Sequence, residues 1–146
     1  MLIQFFRPSR NSGEMYGAND ITKTIHTPDD VKSILRKACT DCHSDHTDYP
    51  WYTNIQPVGW WMANHVNDGK RHLNFSQFNT YKLSRKIHKL EETAELVKEG
   101  EMPMSSYTWM HADAKLNDTE KEMLVNWALN AKARLDTANA TVGPKK

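Results

Sequence analysis

Apolar residues recur at helical spacing in four stretches of the chain and alternate like a strand in none. The first stretch follows Thr27-Pro28-Asp29-Asp30, where Thr27 is placed to cap, Pro28 to open the helix and the acids to face its positive end. Val31, Ile34, Leu35 and Ala38 then share one face, and this helix runs straight into Cys39. A second helix is predicted over Trp60 to Asp68, with Gly69 as its terminating residue. A third covers Ser84 to Glu99, lines up Ile87, Leu90, Ala94 and Val97, and stops at Gly100. The fourth opens on a capping box, Asn117 with Glu120, and turns Met123, Leu124, Trp127, Ala128 and Ala131 inward. The pattern predicts an all-α fold.

The ends lack this periodicity. Residues 1–26 read as an irregular arm punctuated by Pro8, Ser9, Asn11, Ser12 and Gly13. Residues 27–136 form the expected helical domain, and 137–146, poor in large apolar groups, a flexible tail. No internal repeat is present. The apolar patch Leu2 to Phe6 is far shorter than the roughly 20 residues of a membrane-spanning helix, and no basic leader precedes it. It is compatible with the remnant of a removed leader or anchor.

Composition adds one tension. The chain has 146 residues, ordinary for one domain, yet only 38% belong to the hydrophobic set. A mean hydropathy of −0.76 is lean for a self-sufficient core. Five Trp and five Tyr are too many for a disordered chain. A bound cofactor with apolar bulk of its own resolves the conflict. A net charge of +1 argues against nucleic-acid binding by broad phosphate neutralisation and gives no strong steering toward a partner.

The chemistry concentrates in Cys39-Thr40-Asp41-Cys42-His43. On one helical turn, residues i, i+3 and i+4 share a face. Two thiols so placed reach the two vinyl groups of a porphyrin and form thioethers, and the adjoining imidazole then addresses the iron. The expected cofactor is one haem c, bound through Cys39 and Cys42. Two rival readings exist. A thioredoxin-like dithiol wants a strand before the motif, where a helix is predicted. A zinc site would use Cys39, Cys42, His43 and His46, whereas structural zinc ligands usually fall into two knuckles far apart in sequence.

His43 leaves a sixth iron position. Met102 is the expected ligand, because Pro103 stiffens the loop after the third helix and holds the thioether ready. Met104 and Met110 in the same loop compete with it. Met62 and Met123 sit on predicted helices as core, and Met1 and Met15 lie in the arm. Among the histidines, His65 is the best substitute.

Three stretches resemble the haem-binding domain family of small bacterial monohaem cytochromes, within the class I c-type cytochromes. They are Cys42-His43-Ser44 with Thr47-x-Tyr49-Pro50-Trp51-Tyr52, Leu73-Asn74-Phe75-Ser76, and Met102-Pro103 with Tyr107 and His111. The likeness covers about residues 28 to 130. It implies a cytochrome c-like helical fold, haem c with His/Met ligation, and an exported, periplasmic protein, often with an N-terminal membrane anchor.

Trp51, Tyr52, Trp60 and Trp61 are candidates for the walls of a haem pocket, and Arg71 and Asn74 for donors to its propionates. An iron-bound imidazole donates its other N–H to an acceptor, for which the Pro57 carbonyl is the candidate. The function expected is one-electron transfer through His43 and Met102, with transient redox partner proteins and no catalysis. A haem enzyme or a gas or redox sensor with a labile sixth site is the alternative.

Overall fold

The computed structural model describes residues 2–143, and among them there is no strand, only an isolated bridge between Ser12 and His46. Six α-helices follow one another: α1 (Asp29–Ala38), α2 (Thr40–His43), α3 (Val58–His72), α4 (Leu83–Glu99), α5 (Ser105–Met110) and α6 (Asp118–Val142). Short 3-10 turns at Trp51–Asn54 and Phe75–Thr80 flank α3.

Helix starts differ from expectation in an instructive way. Pro28 occupies the cap of α1 and its side chain offers no acceptor. Thr27 does not cap; its hydroxyl donates to the Ile25 carbonyl. The first turn is served instead by Asp30, which accepts from the Val31 amide at 2.8 Å. By contrast, both halves of the Asn117–Glu120 capping box form. Gly100 ends α4 at φ 79°, a left-handed conformation that glycine adopts without steric cost.

α3 runs longer at both ends than its apolar pattern, and Gly69 lies inside it rather than after it. α6 runs on to Val142, through residues 137–142 expected as tail; residues 144–146, and Met1 of the arm, lie outside the described residues.

Packing divides the interior into two apolar clusters. The larger joins α1, α4 and α6 through Val31, Ile34, Leu35, Leu90, Ala94, Val97, Leu124 and Trp127. Ile21 and Ile25 of the arm belong to it as well. Ile87 and Met123, expected to point inward, are only half-buried. The smaller cluster joins Met62 and Val66 of α3 to Tyr107 of α5 and Ala114. α2 lies at the seam, packed on α1 and α3, whereas α4 packs along α6. No helix among the described residues is long and apolar enough to cross a membrane.

Candidate functional site

The one-turn helix α2 follows α1 directly. The Cys39 amide still donates to Leu35, and the His43 amide donates to Cys39 at 3.0 Å. Cys39, at φ −128°, breaks the helix between α1 and α2, and the single turn closed on its carbonyl by the Cys42 and His43 amides gathers Cys39, Cys42 and His43 on one side. Both thiols are free and half-buried. Burial pushes each thiol up to about 12, assisted at Cys39 by the neighbouring Cys42 and at Cys42 by Asp41. They are neutral at pH 7. An exchanging dithiol needs the opposite, a thiolate stabilised near neutrality.

His43 is held from the far side. Its Nδ1 lies 3.0 Å from the Gly69 carbonyl oxygen and 2.9 Å from that of Leu73. Carbonyls only accept, so Nδ1 carries the proton and Nε2 presents its lone pair. Burial lowers the imidazole pKa, against the opposing effect of the two carbonyls, which keeps the ring neutral. Nε2 hydrogen-bonds to nothing among the described residues. Phe75 meets the ring edge-on, with centroids 6.4 Å apart. The expected acceptor, Pro57, is wrong. Its carbonyl accepts from the Trp61 amide at the start of α3, while His43 lies against the other end of that helix.

Gly69 explains how α3 comes so near. A Cβ there would run into the Cys42 carbonyl oxygen and stand 2.9 Å from its carbon. A further clamp comes from Asp45, just past the motif. Its carboxylate accepts from Asn74 at 2.8 Å and Gln77 at 2.7 Å and pairs with Lys70 at 3.0 Å. Burial alone would raise this carboxyl, but those three donors outweigh it and hold it below the usual carboxylate range. Its main chain is engaged too: the carbonyl accepts from Gly13, and the amide donates to Ser76. Motif, arm, α3 and the 75–80 turn are thereby locked together.

Of the other expected residues, Met102 follows α4 directly, its amide donating to Leu96 at 3.1 Å and its side chain packed on the cluster that Cys39 also touches. Met104 caps α5, and Met110, expected in the same loop as Met102, is instead the last residue of that helix; both are exposed. Met62 is core, 2% exposed. Trp61 is half-buried over His65, ring centroids 4.2 Å apart, beside an apolar cleft of about 750 Å³ shared with Trp109 and Met110. Trp51 is 75% exposed. Asn74 is buried with its amide and carbonyl already used, by Asp45 and the Ser76 amide, and Arg71 pairs with Asp68. His46 turns to Gly13 and Asp48. Among the described residues no three His, Cys, Asp or Glu side chains converge to hold a metal ion, so the zinc reading lacks its ligand set.

A second polar network flanks the motif. Tyr107 donates to Asp41 at 2.6 Å, and His111 stacks on Tyr107 while Nε2 meets the Tyr52 hydroxyl at 2.8 Å. Burial, then the Asp41 carboxylate, raises the Tyr107 pKa, so the phenol stays a donor.

The model of the haem-binding domain family matches residues 1–130. The chain belongs to that family. Among curated proteins and among solved structures, no match was found. The match takes in the arm, which in this haem-binding domain supplies both core residues and contacts to the motif segment. The residues fit the group: one neutral imidazole with a fixed Nδ1–H and an open Nε2, beside two neutral thiols on the same turn. The carbonyls of Gly69 and Leu73 and the Asp45 clamp escape sequence reasoning. An isolated glycine inside a helical pattern was the available signal for the first.

Proposed function

We propose that this haem-binding domain is a monohaem c-type cytochrome that carries single electrons, with Cys39 and Cys42 as the residues that would anchor haem covalently and His43 and Met102 as those that would hold its iron. The observation that carries the reading is the His43 ring, tethered at Nδ1 by two carbonyls with Nε2 left open. When bound, haem supplies one-electron exchange between ferrous and ferric iron. The chain's own part is to hold and tune. Cys39 and Cys42 would hold the group covalently, each thiol adding its S–H across one vinyl double bond, which would prevent its loss from a lean core. The carbonyls of Gly69 and Leu73 fix the imidazole plane and increase its basicity. The Leu96 carbonyl fixes the Met102 backbone, and a thioether ligand favours the reduced state. Export to the periplasm belongs to the same proposal, supported by the resemblance to exported monohaem cytochromes.

The test is maturation of the chain with export and a haem-ligation system. The expected product carries one haem that resists acid–acetone extraction, and its oxidised spectrum is low-spin with the weak far-red band of a Met–iron bond. Met102→Ala should turn the spectrum high-spin and lower the potential. Extractable haem in the wild-type protein refutes the covalent link. A high-spin wild-type spectrum favours an enzyme or sensor with a labile sixth site.

A further inference from the structure

Eight residues at the start of α4, Lys82 to Lys89, carry four Lys or Arg and no acid. A helix N-terminus is the positive end of the backbone dipole, and helices optimised only for stability place acids there. α4 has none in its first turn. Cations so placed oppose the helix dipole rather than complement it, which points to a use outside the fold.

The structure joins this turn to the C-terminal end of α3. Arg85 reaches the Arg71 carbonyl at 3.5 Å, with its guanidinium 4.1 Å from the centre of the Tyr81 ring. Lys86 lies over Phe78, 5.9 Å from the ring centre. Arg71, His72, Lys82 and Arg85 are exposed. Among the described residues, Lys82, Arg85 and Lys86 pair with no carboxylate, whereas Arg71 pairs with Asp68 and Lys89 with Glu92. The corner adjoins the site through the backbone: Arg71 and His72 lie between Gly69 and Leu73, whose carbonyl oxygens stand 3.0 and 2.9 Å from His43 Nδ1. A net charge of +1 hides this local asymmetry.

We infer that the basic corner made by Arg71, His72, Lys82, Arg85, Lys86 and Lys89 is a docking face for an acidic redox partner protein. The inference rests on the electron-carrier reading and names the partner chemistry of that same site. The aromatic rings of Tyr81 and Phe78 preorganise two of the cations, so docking orders fewer side chains. Contact here brings a partner next to the edge of the fold that holds His43. The encounter is electrostatic, fast and screened by salt.

The test uses the matured full chain and reduced flavodoxin, a small acidic flavoprotein, as the probe. One electron passes from the flavin to the haem iron, and stopped-flow spectroscopy reads the rate. The wild-type second-order rate constant should fall steeply with salt. Lys82→Glu/Arg85→Glu should lower it at least about tenfold at low ionic strength, with the two proteins converging at high salt. That variant puts acids where the helix dipole favours them, so its fold is preserved. Lys98→Glu, an exposed reversal at the other end of α4, should leave the rate within twofold.

Equal salt dependence in wild type and double variant overturns the inference. A double variant with a shifted haem potential or spectrum and an unchanged flavodoxin rate overturns it as well, and assigns the cations to the haem propionates. Loss of binding to anionic lipid vesicles alone, with the flavodoxin rate intact, assigns the face to a membrane instead. If the wild-type protein carries no haem, the electron-carrier reading has failed. Amide shifts on titration with flavodoxin then decide the face itself: confined to residues 71–72 and 82–89 they retain it, and absent there they reject it.

Discussion

Substituting Gly69 by Ala tests the contact on which the His43 geometry depends. Helix propensity alone predicts stabilisation, because Ala is favoured over Gly in a helix interior by about 0.8–1.0 kcal/mol. The structure predicts the reverse. The new methyl would collide with the Cys42 carbonyl oxygen, and the carbonyl carbon and the Cys42 Cβ stand at only 2.9 and 3.0 Å. These are backbone or directly attached atoms, with no flexible side-chain end to swing aside. Ordinary contact at 3.4–4 Å requires α3 to move away from α2 by several tenths of an ångström or more. Overpacking of this kind costs about 1–3 kcal/mol, and the upper end applies where backbone must give. Subtracting the propensity gain leaves a net loss of about 2 kcal/mol. In a domain of this size that lowers the melting temperature by roughly 4–8 °C. The same displacement draws the Gly69 carbonyl away from His43 Nδ1, so the imidazole N–H resonance should shift upfield. Calorimetry and proton NMR of wild type and variant provide both readouts. Gly17→Ala is the control, since its Cβ would meet only the flexible Glu14 side chain, at 3.2 Å. A Gly69→Ala protein at least as stable as wild type, with an unmoved His43 resonance, would refute the reasoning.

Other perturbations have equally definite outcomes. Asp45→Ala should cost about 1–2 kcal/mol in urea melts, by stranding Asn74, Gln77 and Lys70 in a partly solvated network. Because the Asp45 carboxyl is held below its ordinary 3.8, its contribution is complete above that pH and is lost as pH falls through the lower folded value. The stability gap between wild type and variant should therefore be constant near neutrality and close only in acid; a gap that closes above pH 5 contradicts the assignment. Tyr107→Phe should cost about 1–3 kcal/mol, since it leaves the Asp41 carboxylate without its 2.6 Å donor, and an unchanged melt would show that solvent replaces the phenol. Leu124→Ala, at a side chain 0% exposed, should cost about 2–5 kcal/mol and leave the haem spectrum unaltered.

Much of this was legible in the chain. Val31, Ile34, Leu35 and Ala38 announce α1 because helical spacing and apolar character report one face directly. The Asn117–Glu120 box and Gly100 mark their helix ends because caps are local chemistry. The motif of Cys39, Cys42 and His43 is legible for the same reason: a single turn of helix fixes which of its residues share a face. Less was legible where the decisive partner is distant in sequence. Gly69 looks like a helix stop until α2 is seen against it. Pro57 looks like an acceptor until α3 is seen to present its other end to His43. Asn74 looks free for a ligand until Asp45 is found to occupy it.

The sequence by itself determined four of the six helices described, and the grouping of Cys39, Cys42 and His43 on one turn, all of which depend on residues within about one helical turn of each other. Only the tertiary structure decided which nitrogen of His43 is left open, which carbonyls hold the other, and that the cations of α3 and α4 meet beside it. Those outcomes depend on how closely separate helices approach. That distance is set by the size of the groups between them, and here by the missing side chain of one glycine.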